Sequence, residues 1–272
     1  ENLTNLKVLY LNNNNIQDIT PLRENTSLVT LDLRGNSKID SNRENYTGEK
    51  LEALDEIGKI LDRGGTINLD TDKLGLFTNY KNLNLAGQNL LTLEVLEKLT
   101  QLTVLNLGNN KLTLEDMDSQ EILKSMKNLS ELNLNNNNIT NVTAINSLKN
   151  LKKLYIVGGN NKINLKEIED IISNLDSLTV STESLKTIIN CDIDKITTLN
   201  IGGSNLTEIP DMSKFIRLTK LNLNTNPNIG NYNMVSEVRS LENLNLANNN
   251  LHGKMIDFSK LTKLTDLDLS SN

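Results

Sequence analysis

The sequence predicts an α/β solenoid: a curved horseshoe of about twelve stacked repeats, with a parallel β-sheet on its concave face and loops and short helices on its convex face. Three observations lead to this fold class. The template L-x-x-L-x-L-x-x-N-x-L recurs along the 272 residues, and its copies lie mostly about 22 to 24 residues apart. Hydrophobic residues make up 37% of the chain but aromatic residues only 3%, which favours many small leucine and isoleucine layers over one irregular core.

Complete copies of the template stand at residues 6–16, 102–112, 129–139 and 241–251. Two copies, at 28–39 and 218–229, carry one extra residue before the last apolar position, and a copy that begins at 264 runs to Asn272. Weaker copies stand at 64–74, 80–90, 151–163, 175–185 and 196–206. The register of the repeats cannot be read from the sequence at 64–80 and 175–185.

The alternating leucines of x-L-x-L predict a short strand that sends its leucines inward and the side chains between them outward. One copy cannot bury its own leucines, so neighbouring copies must stack and each must add a strand to a parallel sheet. The asparagine that follows the strand can pair backbone groups that the turn would otherwise leave buried and unpaired. We therefore predict a structural asparagine ladder at Asn14, Asn36, Asn110, Asn137, Asn226, Asn249 and Asn272, with Gln88, Ser204, Asp72 and Glu183 at the same position in weaker copies.

The four consecutive asparagines at 12–15 form a polar run of a kind that can also indicate disorder. Their place in the template favours a turn instead. Asn14 occupies the ladder position, and the asparagines around it are turn and surface residues. Asn137 occupies the same position in a second run of four asparagines.

We predict a single domain over residues 1–272, with an irregular insertion at 40–63. The insertion contains an amphipathic helix, because its apolar residues recur at helical spacing and the glycine pair Gly64 and Gly65 follows. The apolar face of that helix consists of Leu51, Leu54, Ile57 and Leu61. Two further helical segments are predicted near 116–126 and 164–175, on the convex side, where repeats vary in length.

The whole chain resembles leucine-rich-repeat proteins, and the stretch LYLNNNNIQDITPL at 9–22 is similar to the repeats of the internalin and SDS22-like class. The residues that match the class pattern N-x-I-x-D-I-x-P-L are Asn14, Ile16, Asp18, Ile19, Pro21 and Leu22. The stretch NNNNITNVTAI at 135–145 follows the same pattern without the proline. The resemblance implies a bacterial module that binds host or cell-surface macromolecules.

Composition and charge exclude several functions. The net charge is −6 with a pI near 5.0 and no basic cluster, so binding to nucleic acid is not expected. A single cysteine gives no intrachain disulfide framework. No apolar run is long enough for a membrane span. About one residue in six is asparagine, and lysine and isoleucine are abundant, which is typical of an AT-rich genome such as that of a low-GC Gram-positive bacterium.

The sequence offers no set of residues for catalysis, so we predict that the protein is not an enzyme and carries no metal or cofactor. The only histidine, His252, falls in a turn. Cys191 is expected to be half-buried and inert, because no histidine lies near it in the sequence to lower its pKa. The carboxylate clusters, Asp70 with Asp72 and Asp116 with Asp118 and Glu121, are better explained by a turn and by the solvated start of a helix than by calcium.

The remaining candidate is the outward face of the concave sheet. The template gives a central row of side chains: Tyr10, Asp32, Asn68, Asn84, Asn106, Asn133, Tyr155, Thr179, Asn200, Asn222, Asn245 and Asp268. It also gives flanking rows with Val8, Glu131, Lys153, Lys220 and Asp266 on one side and Arg34 and Val157 on the other. Because interface hot spots favour Tyr and Arg, the candidate binding residues are Tyr10, Asp32 and Arg34 in one group and Glu131, Lys153, Tyr155 and Val157 in another.

The two groups are separate anchors, because six strand spacings put about 29 Å between Tyr10 and Tyr155. In the alternative interpretation the tyrosines are isolated strand residues and the asparagines cap the edge of each turn.

Together these observations predict a non-catalytic interaction module of a bacterial cell-surface or secreted protein, which binds a protein or a glycan through its concave face. An intracellular, cytoplasmic scaffold of the SDS22-like kind and the substrate-recognition domain of a larger enzyme are the alternatives. Solenoids need polar caps on their end layers, and neither end of this sequence has one, so we expect the parent protein to continue beyond both.

Overall fold

The computed structural model describes residues 3–188, 190–252 and 256–272, and in this part of the chain three-residue strands form two parallel sheets. The first sheet contains β1 (Val8–Tyr10), β2 (Thr30–Asp32) and β3 (Thr66–Asn68). The second contains β4 (Asn82–Asn84), β5 (Val104–Asn106), β6 (Glu131–Asn133), β7 (Lys153–Tyr155), β8 (Ser177–Thr179), β9 (Thr198–Asn200), β10 (Lys220–Asn222), β11 (Asn243–Asn245) and β12 (Asp266–Asp268). The prediction of a parallel sheet built by successive repeats is confirmed.

Residue contacts divide the chain into two compact units. The first unit comprises the segment up to Leu83 together with Leu93–Thr103, and it holds the three-stranded sheet. The second unit comprises Asn84–Thr92 together with the segment from Val104, and it holds β5 to β12. The single domain over 1–272 stays a prediction.

Each strand places one leucine or isoleucine at its centre, and these central residues stack directly on one another. In the second unit the register pairs Leu132 with Leu154, and Leu154 with Leu178, and all three side chains are fully buried. Burying a leucine side chain contributes about 2 kcal/mol, so the stack holds the repeats together. The register also extends through the two uncertain segments, where Thr66 pairs with Thr30 and Ser177 with Lys153.

The insertion forms the predicted helix, α1 (Gly48–Asp62). Its buried residues include Leu54, Ile57 and Leu61, as predicted, whereas Leu51 is only half-buried. Gly64 follows the helix with a φ of +75°, a left-handed conformation that glycine adopts without steric cost. The glycine therefore ends α1 as expected.

The other helical segments differ in part from the predictions. The segment predicted near 116–126 forms α2 (Met117–Ser125), and the Asp116 carboxylate caps it by accepting a 2.7 Å hydrogen bond from the Ser119 N–H. The segment predicted at 164–175 is shorter than expected, because it forms a 3-10 turn, Leu165–Ile168, that leads into the single turn of α3 (Glu169–Ile172). A further short helix, α4 (Thr182–Lys186), was not predicted.

The residue before each ladder position adopts a left-handed backbone conformation. Asn13, Asn109 and Asn136 have φ values of 57°, 56° and 53°, and Gly35 has 69°. Glycine and asparagine tolerate this region better than other residues. Each run of asparagines therefore supplies two successive residues that the turn requires, one in the left-handed conformation and the ladder asparagine after it.

The ladder asparagines join each repeat to the one before it, and Asn137 shows the pattern. Its Nδ2 donates to the Leu134 carbonyl of its own repeat at 3.1 Å and to the Leu107 carbonyl of the preceding repeat at 2.9 Å. Its Oδ1 accepts from the Leu112 N–H of the preceding repeat at 3.1 Å. Because Asn137 is only 1% exposed, these bonds satisfy groups that water cannot reach.

Ladder positions in other repeats follow the same pattern. Amide bonds to the preceding repeat are made by Asn36, Asn110, Asn226, Asn249 and Asn272. Asn14 differs, because it is exposed and its Nδ2 donates only within its own turn, to the Leu11 and Asn12 carbonyls.

The five weaker repeats depart from the expected ladder. Gln88 and Ser204 donate, at 3.4 Å, to the Ala86 and Gly202 carbonyls of their own turns and not to the preceding repeat. In the repeat after β7 the residue that bonds backward is Asn161, which accepts from the Ile139 N–H at 2.8 Å and donates to the Leu134 carbonyl at 3.0 Å. Asp72 and Glu183 were wrongly placed on the ladder. Their carboxylates pair with the neighbouring lysines Lys73 and Lys186, because a 3-10 turn (Thr71–Leu76) and α4 replace the asparagine turn in those repeats.

Tyr80 gives a first testable prediction. Its side chain is 1% exposed and packs edge-on against Phe77, and its hydroxyl has no hydrogen-bond partner within the described part of the chain. Tyr80→Phe removes the unpaired polar group and keeps the ring, so we expect the free energy of unfolding to rise by about 1 kcal/mol in denaturant melting. A loss of stability in this variant would mean that the hydroxyl has a partner in solution.

The same residue predicts an alkaline limit. Burial raises the pKa of the Tyr80 phenol above its ordinary value, so the folded state resists ionisation that the unfolded state undergoes near pH 10. Because the folded pKa is the higher of the two, this contribution is complete below about pH 10 and is lost progressively above it. Melting as a function of pH should therefore show a smaller alkaline loss of stability in Tyr80→Phe than in the wild type.

Candidate functional site

The outward faces of the sheets carry the side chains that the template assigned to the central row. The register aligns Asn133 with Tyr155, and Tyr155 with Thr179, in the second unit. In the first unit it aligns Tyr10 with Asp32, and Asp32 with Asn68. The flanking row lies beside it, with Lys153 next to Glu131 and Ser177. Each sheet therefore presents ordered rows of side chains about 4.8 Å apart.

Eight of the asparagines and aspartates of the central row are fixed by their own backbone. The Oδ1 atom of each of these eight accepts a hydrogen bond from the N–H two residues further on, at 2.9 to 3.1 Å. The residues that do so are Asp32, Asn84, Asn106, Asn133, Asn200, Asn222, Asn245 and Asp268. Such a bond caps the turn after the strand and holds the side chain in one orientation.

Glu131, Lys153 and Tyr155 form a polar cluster on β6 and β7. The Lys153 ammonium lies 3.0 Å from the Glu131 carboxylate, which raises the pKa of the lysine. Burial, with a smaller contribution from Glu131, raises the pKa of the half-buried Tyr155 phenol. The carboxylate and the ammonium form an ion pair, so the cluster carries no net charge beside the Tyr155 ring.

Val157 lies next to this cluster in sequence but belongs to the turn that follows β7. Its N–H donates to the Asn135 Oδ1 at 2.8 Å, and its carbonyl accepts from the Asn136 N–H at 2.9 Å. The side chain is half-buried. The structure thus places Glu131, Lys153 and Tyr155 together, with Val157 in the flanking row beyond Tyr155.

In the first unit Tyr10 is the most open member of the candidate set, with 67% of its surface exposed. Val8 precedes it by two residues on β1 and is 44% exposed. Alternate residues of a strand point to the same face, so these two side chains form a small apolar surface on the sheet.

Asp32 and Arg34, beside Tyr10, form a two-point ion pair. The Arg34 guanidinium donates from Nε to Oδ1 at 3.0 Å and from Nη2 to Oδ2 at 2.5 Å, and the Asp32 residue is only 3% exposed. The pair lowers the pKa of Asp32 and raises that of Arg34. Arg34 is therefore held flat against the sheet by its own carboxylate, and its charge is neutralised.

The sheet face of the second unit encloses a depression of about 550 Å³. Central-row residues of six consecutive strands line it: Tyr155, Thr179, Asn200, Asn222, Asn245 and Asp268. The lining combines hydroxyl and amide side chains with the central leucines of β9 to β12, and Tyr155 lies at one end of the row. The depression is large enough to hold an extended ligand along the row.

The residues considered for catalysis lie elsewhere. Cys191 is buried, not half-buried as expected, and burial together with the nearby Glu169 raises the pKa of its thiol. A raised pKa keeps a thiol in its unreactive form. His252 is exposed, and its Nδ1 lies 2.9 Å from the Asn250 carbonyl.

The described ranges contain neither a cluster of metal ligands nor a membrane-spanning helix. No group of three or more His, Cys, Asp or Glu side chains there is arranged to hold a metal ion. None of the helices in those ranges has both the length and the apolar character that crossing a membrane requires.

Comparison with protein-family models identifies leucine-rich repeats in two parts of the chain. A model of paired leucine-rich repeats matches residues 4–45, and a model of a single leucine-rich repeat matches residues 240–261. No curated protein sequence matches the chain significantly.

Several solved structures share the fold. One is an internalin, InlF, from Listeria monocytogenes, with 23% identity, a TM-score of 0.55, and coverage of 98% of this chain and 82% of that one. Another is a leucine-rich-repeat protein from Leptospira interrogans, with 21% identity, a TM-score of 0.61, and coverage of 100% and 74%. The TLR13–ssRNA13 complex matches with 20% identity, a TM-score of 0.50, and coverage of 99% and 37%. The chain is thus built from leucine-rich repeats and has their fold.

Proposed function

We propose that this leucine-rich-repeat chain is a non-catalytic binding module of a bacterial cell-surface or secreted protein, and that it binds a protein ligand through the exposed faces of its sheets. The observation that carries the proposal is the exposed apolar surface of Val8 and Tyr10 on β1. Both side chains are exposed to solvent on the same strand. A partner that covers them removes apolar surface from water, and this burial favours binding.

The second anchor is Tyr155 with the Glu131–Lys153 pair. Tyrosine supplies a large contact area at low cost in conformational entropy, which is why interface hot spots favour it. The ion pair beside it is already formed, so a partner need not supply a charge of either sign. Both anchors stand on strands, and their positions are fixed before a ligand arrives.

The proposed location rests on the repeat pattern and the fold. The internalin-like stretch at 9–22 and the structural similarity to internalin InlF support a bacterial surface or secreted protein. The absence of a local arrangement for catalysis in the described part of the chain is compatible with a binding role. The proposal names no nucleic-acid ligand, because the net charge is −6.

The test is a binding screen of the purified chain against a panel of extracellular host proteins, repeated with Tyr10→Ala and Tyr155→Ala. Removal of a tyrosine anchor is expected to weaken binding at least about tenfold. Ile216→Ala is the matched control, because Ile216 is 65% exposed but lies off the strands.

A ligand whose affinity falls in one tyrosine variant and is unchanged in Ile216→Ala would support the proposal. Binding that is unaffected by both tyrosine variants would contradict the sheet face as the binding surface. A complete lack of protein ligands would favour the intracellular scaffold or the enzyme-associated domain over this proposal.

A further inference from the structure

Three neighbouring amides on the sheet face of the second unit have unused hydrogen-bond donors. Asn200, Asn222 and Asn245 stand on β9, β10 and β11, and each uses Oδ1 to accept from the backbone N–H two residues on. Within the described chain, none of the three Nδ2 atoms donates a hydrogen bond. Each side chain is half-buried and lines the depression, so its Nδ2 group is a donor available to a ligand bound there.

Lys220 stands beside these amides in the flanking row, on the same strand as Asn222. The register places it between Thr198 and Asn243. Other lysines of the chain, such as Lys153 and Lys260, pair with glutamates, but Lys220 has no ion-pair partner among the described residues. Its ammonium is therefore an unpaired positive charge beside a row of neutral donors, in a depression that Asp266 and Asp268 also line.

The other side of the amide row carries short residues at two of its three positions. The residues two positions after Asn200 and Asn245 are Gly202 and Ala247. The third position holds Asn224, whose side chain lies over Gly202, because its Oδ1 is 2.0 Å from where a Cβ at position 202 would stand. A ligand can therefore approach the row most closely at Asn245, beside Ala247.

Acidic side chains mark one end of the site. Asp266 and Asp268 lie on β12, two strands from Lys220, or about 10 Å away. Serine and threonine side chains line the opposite end, at Ser177, Thr179 and Thr198. An anionic ligand on Lys220 would therefore extend toward the hydroxyls and away from the aspartates.

We propose that this surface, defined by Thr198, Asn200, Lys220 and Asn222, binds an acidic polysaccharide. A carboxylate of a uronic acid would pair with the Lys220 ammonium, and the hydroxyl and ring oxygens of successive sugars would accept from the Nδ2 atoms one strand apart. Besides amide and hydroxyl side chains the lining includes leucines, but Leu199, Leu221 and Leu244 are buried in the sheet and offer no protruding apolar anchor that a peptide would use. This site does not depend on the protein ligand proposed above.

The experiment is calorimetric titration of the whole chain with oligogalacturonate. Asn222→Asp is the informative variant, because an aspartate can keep the Oδ1 bond to the backbone, as Asp32 and Asp268 do, while it loses the donors and adds a repelling charge. Lys220→Gln removes the exposed cation. Each variant is expected to weaken binding about tenfold or more. Lys149→Gln, an equal charge change at an exposed site off the strands, is expected to leave binding unchanged.

Several outcomes would overturn the proposal. They are the absence of oligogalacturonate binding, equal loss of binding in Lys149→Gln, and full binding by Asn222→Asp or by Lys220→Gln. Equal binding of a neutral cello-oligosaccharide would exclude the role of the carboxylate. Equal binding of polyglutamate would exclude a carbohydrate-specific site. Lys220→Gln tests the proposal even if Asn222→Asp fails to fold, because Lys220 is exposed.

Discussion

Asn137→Ala is expected to lower the free energy of unfolding by about 3 kcal/mol. The substitution leaves the buried Leu112 N–H without its partner and removes one of two side-chain donors from each of the Leu107 and Leu134 carbonyls, which keep their bonds from Asn110 and Asn161. An unpaired buried N–H costs about 1–3 kcal/mol, and each of the other lost hydrogen bonds about 0.5–1.5 kcal/mol. Because Asn137 is 1% exposed, water cannot replace the lost amide. The expected fall in melting temperature is roughly 5–10 °C.

Asn14→Ala is the matched control for this prediction. Asn14 occupies the same template position, but it is exposed and bonds only within its own turn. Water can hydrate the groups it releases, so we expect a cost of about 0.5 kcal/mol or less. Equal effects of the two substitutions on thermal melting would mean that the bonds of the ladder to the preceding repeat contribute nothing.

Gly65→Ala is expected to cost about 3 kcal/mol, because it crowds the junction between α1 and β3. A Cβ at this position would lie 2.4 Å from the Val29 carbonyl oxygen and 2.8 Å from that of Ile60. Both oxygens are backbone atoms that already accept hydrogen bonds, from Thr66 and from Gly65 itself, so neither can move freely. Forcing backbone apart in a packed region costs a few kcal/mol.

Gly75→Ala provides the comparison for Gly65→Ala. A Cβ at Gly75 would meet no atom within 4 Å, and Gly75 lies in a 3-10 turn. We expect this variant to melt within about 1 °C of the wild type or slightly above it, because alanine restricts the unfolded chain more than glycine does. A Gly65→Ala variant as stable as Gly75→Ala would mean that α1 can shift away from β2 and β3 without cost.

The strand register was predictable because the leucines occupy alternate positions, so only one face of each strand can point toward the core. A slip by one residue would expose every leucine of the strand, so even the weak copy around Ile67 pairs in register with Leu31. Helical turns were harder to predict. A run such as 164–175 has helical periodicity, but only short 3-10 and α turns form in it.

The ladder was predicted by counting from the strand, and this procedure fails where the turn changes length. Asn161 would have been found by counting back from Ile163, because Asn137 also lies two residues before an isoleucine, Ile139. The error arises around Gly158 and Gly159, which both adopt a left-handed conformation and lengthen the turn. Local backbone geometry of this kind is set by contacts with the preceding repeat.

Part of the candidate site was also readable from the sequence. The template places Glu131 beside Lys153, and the structure shows the ion pair. The template does not reveal that the Arg34 side chain turns back onto Asp32, because that contact depends on side-chain torsions. Nor does it show that the central asparagines commit their oxygens to the backbone and leave their nitrogens available.

The ladder also has a direction along the chain, since each ladder asparagine from Asn36 onward bonds to the repeat that precedes it. During synthesis on the ribosome, the earlier repeat is always the first to emerge. The buried carbonyls of that repeat receive their hydrogen-bond donor from the next repeat, and no distant part of the chain is needed to supply it. The ladder hydrogen bonds of a nascent chain can therefore form in the order of translation, each when the following repeat has emerged.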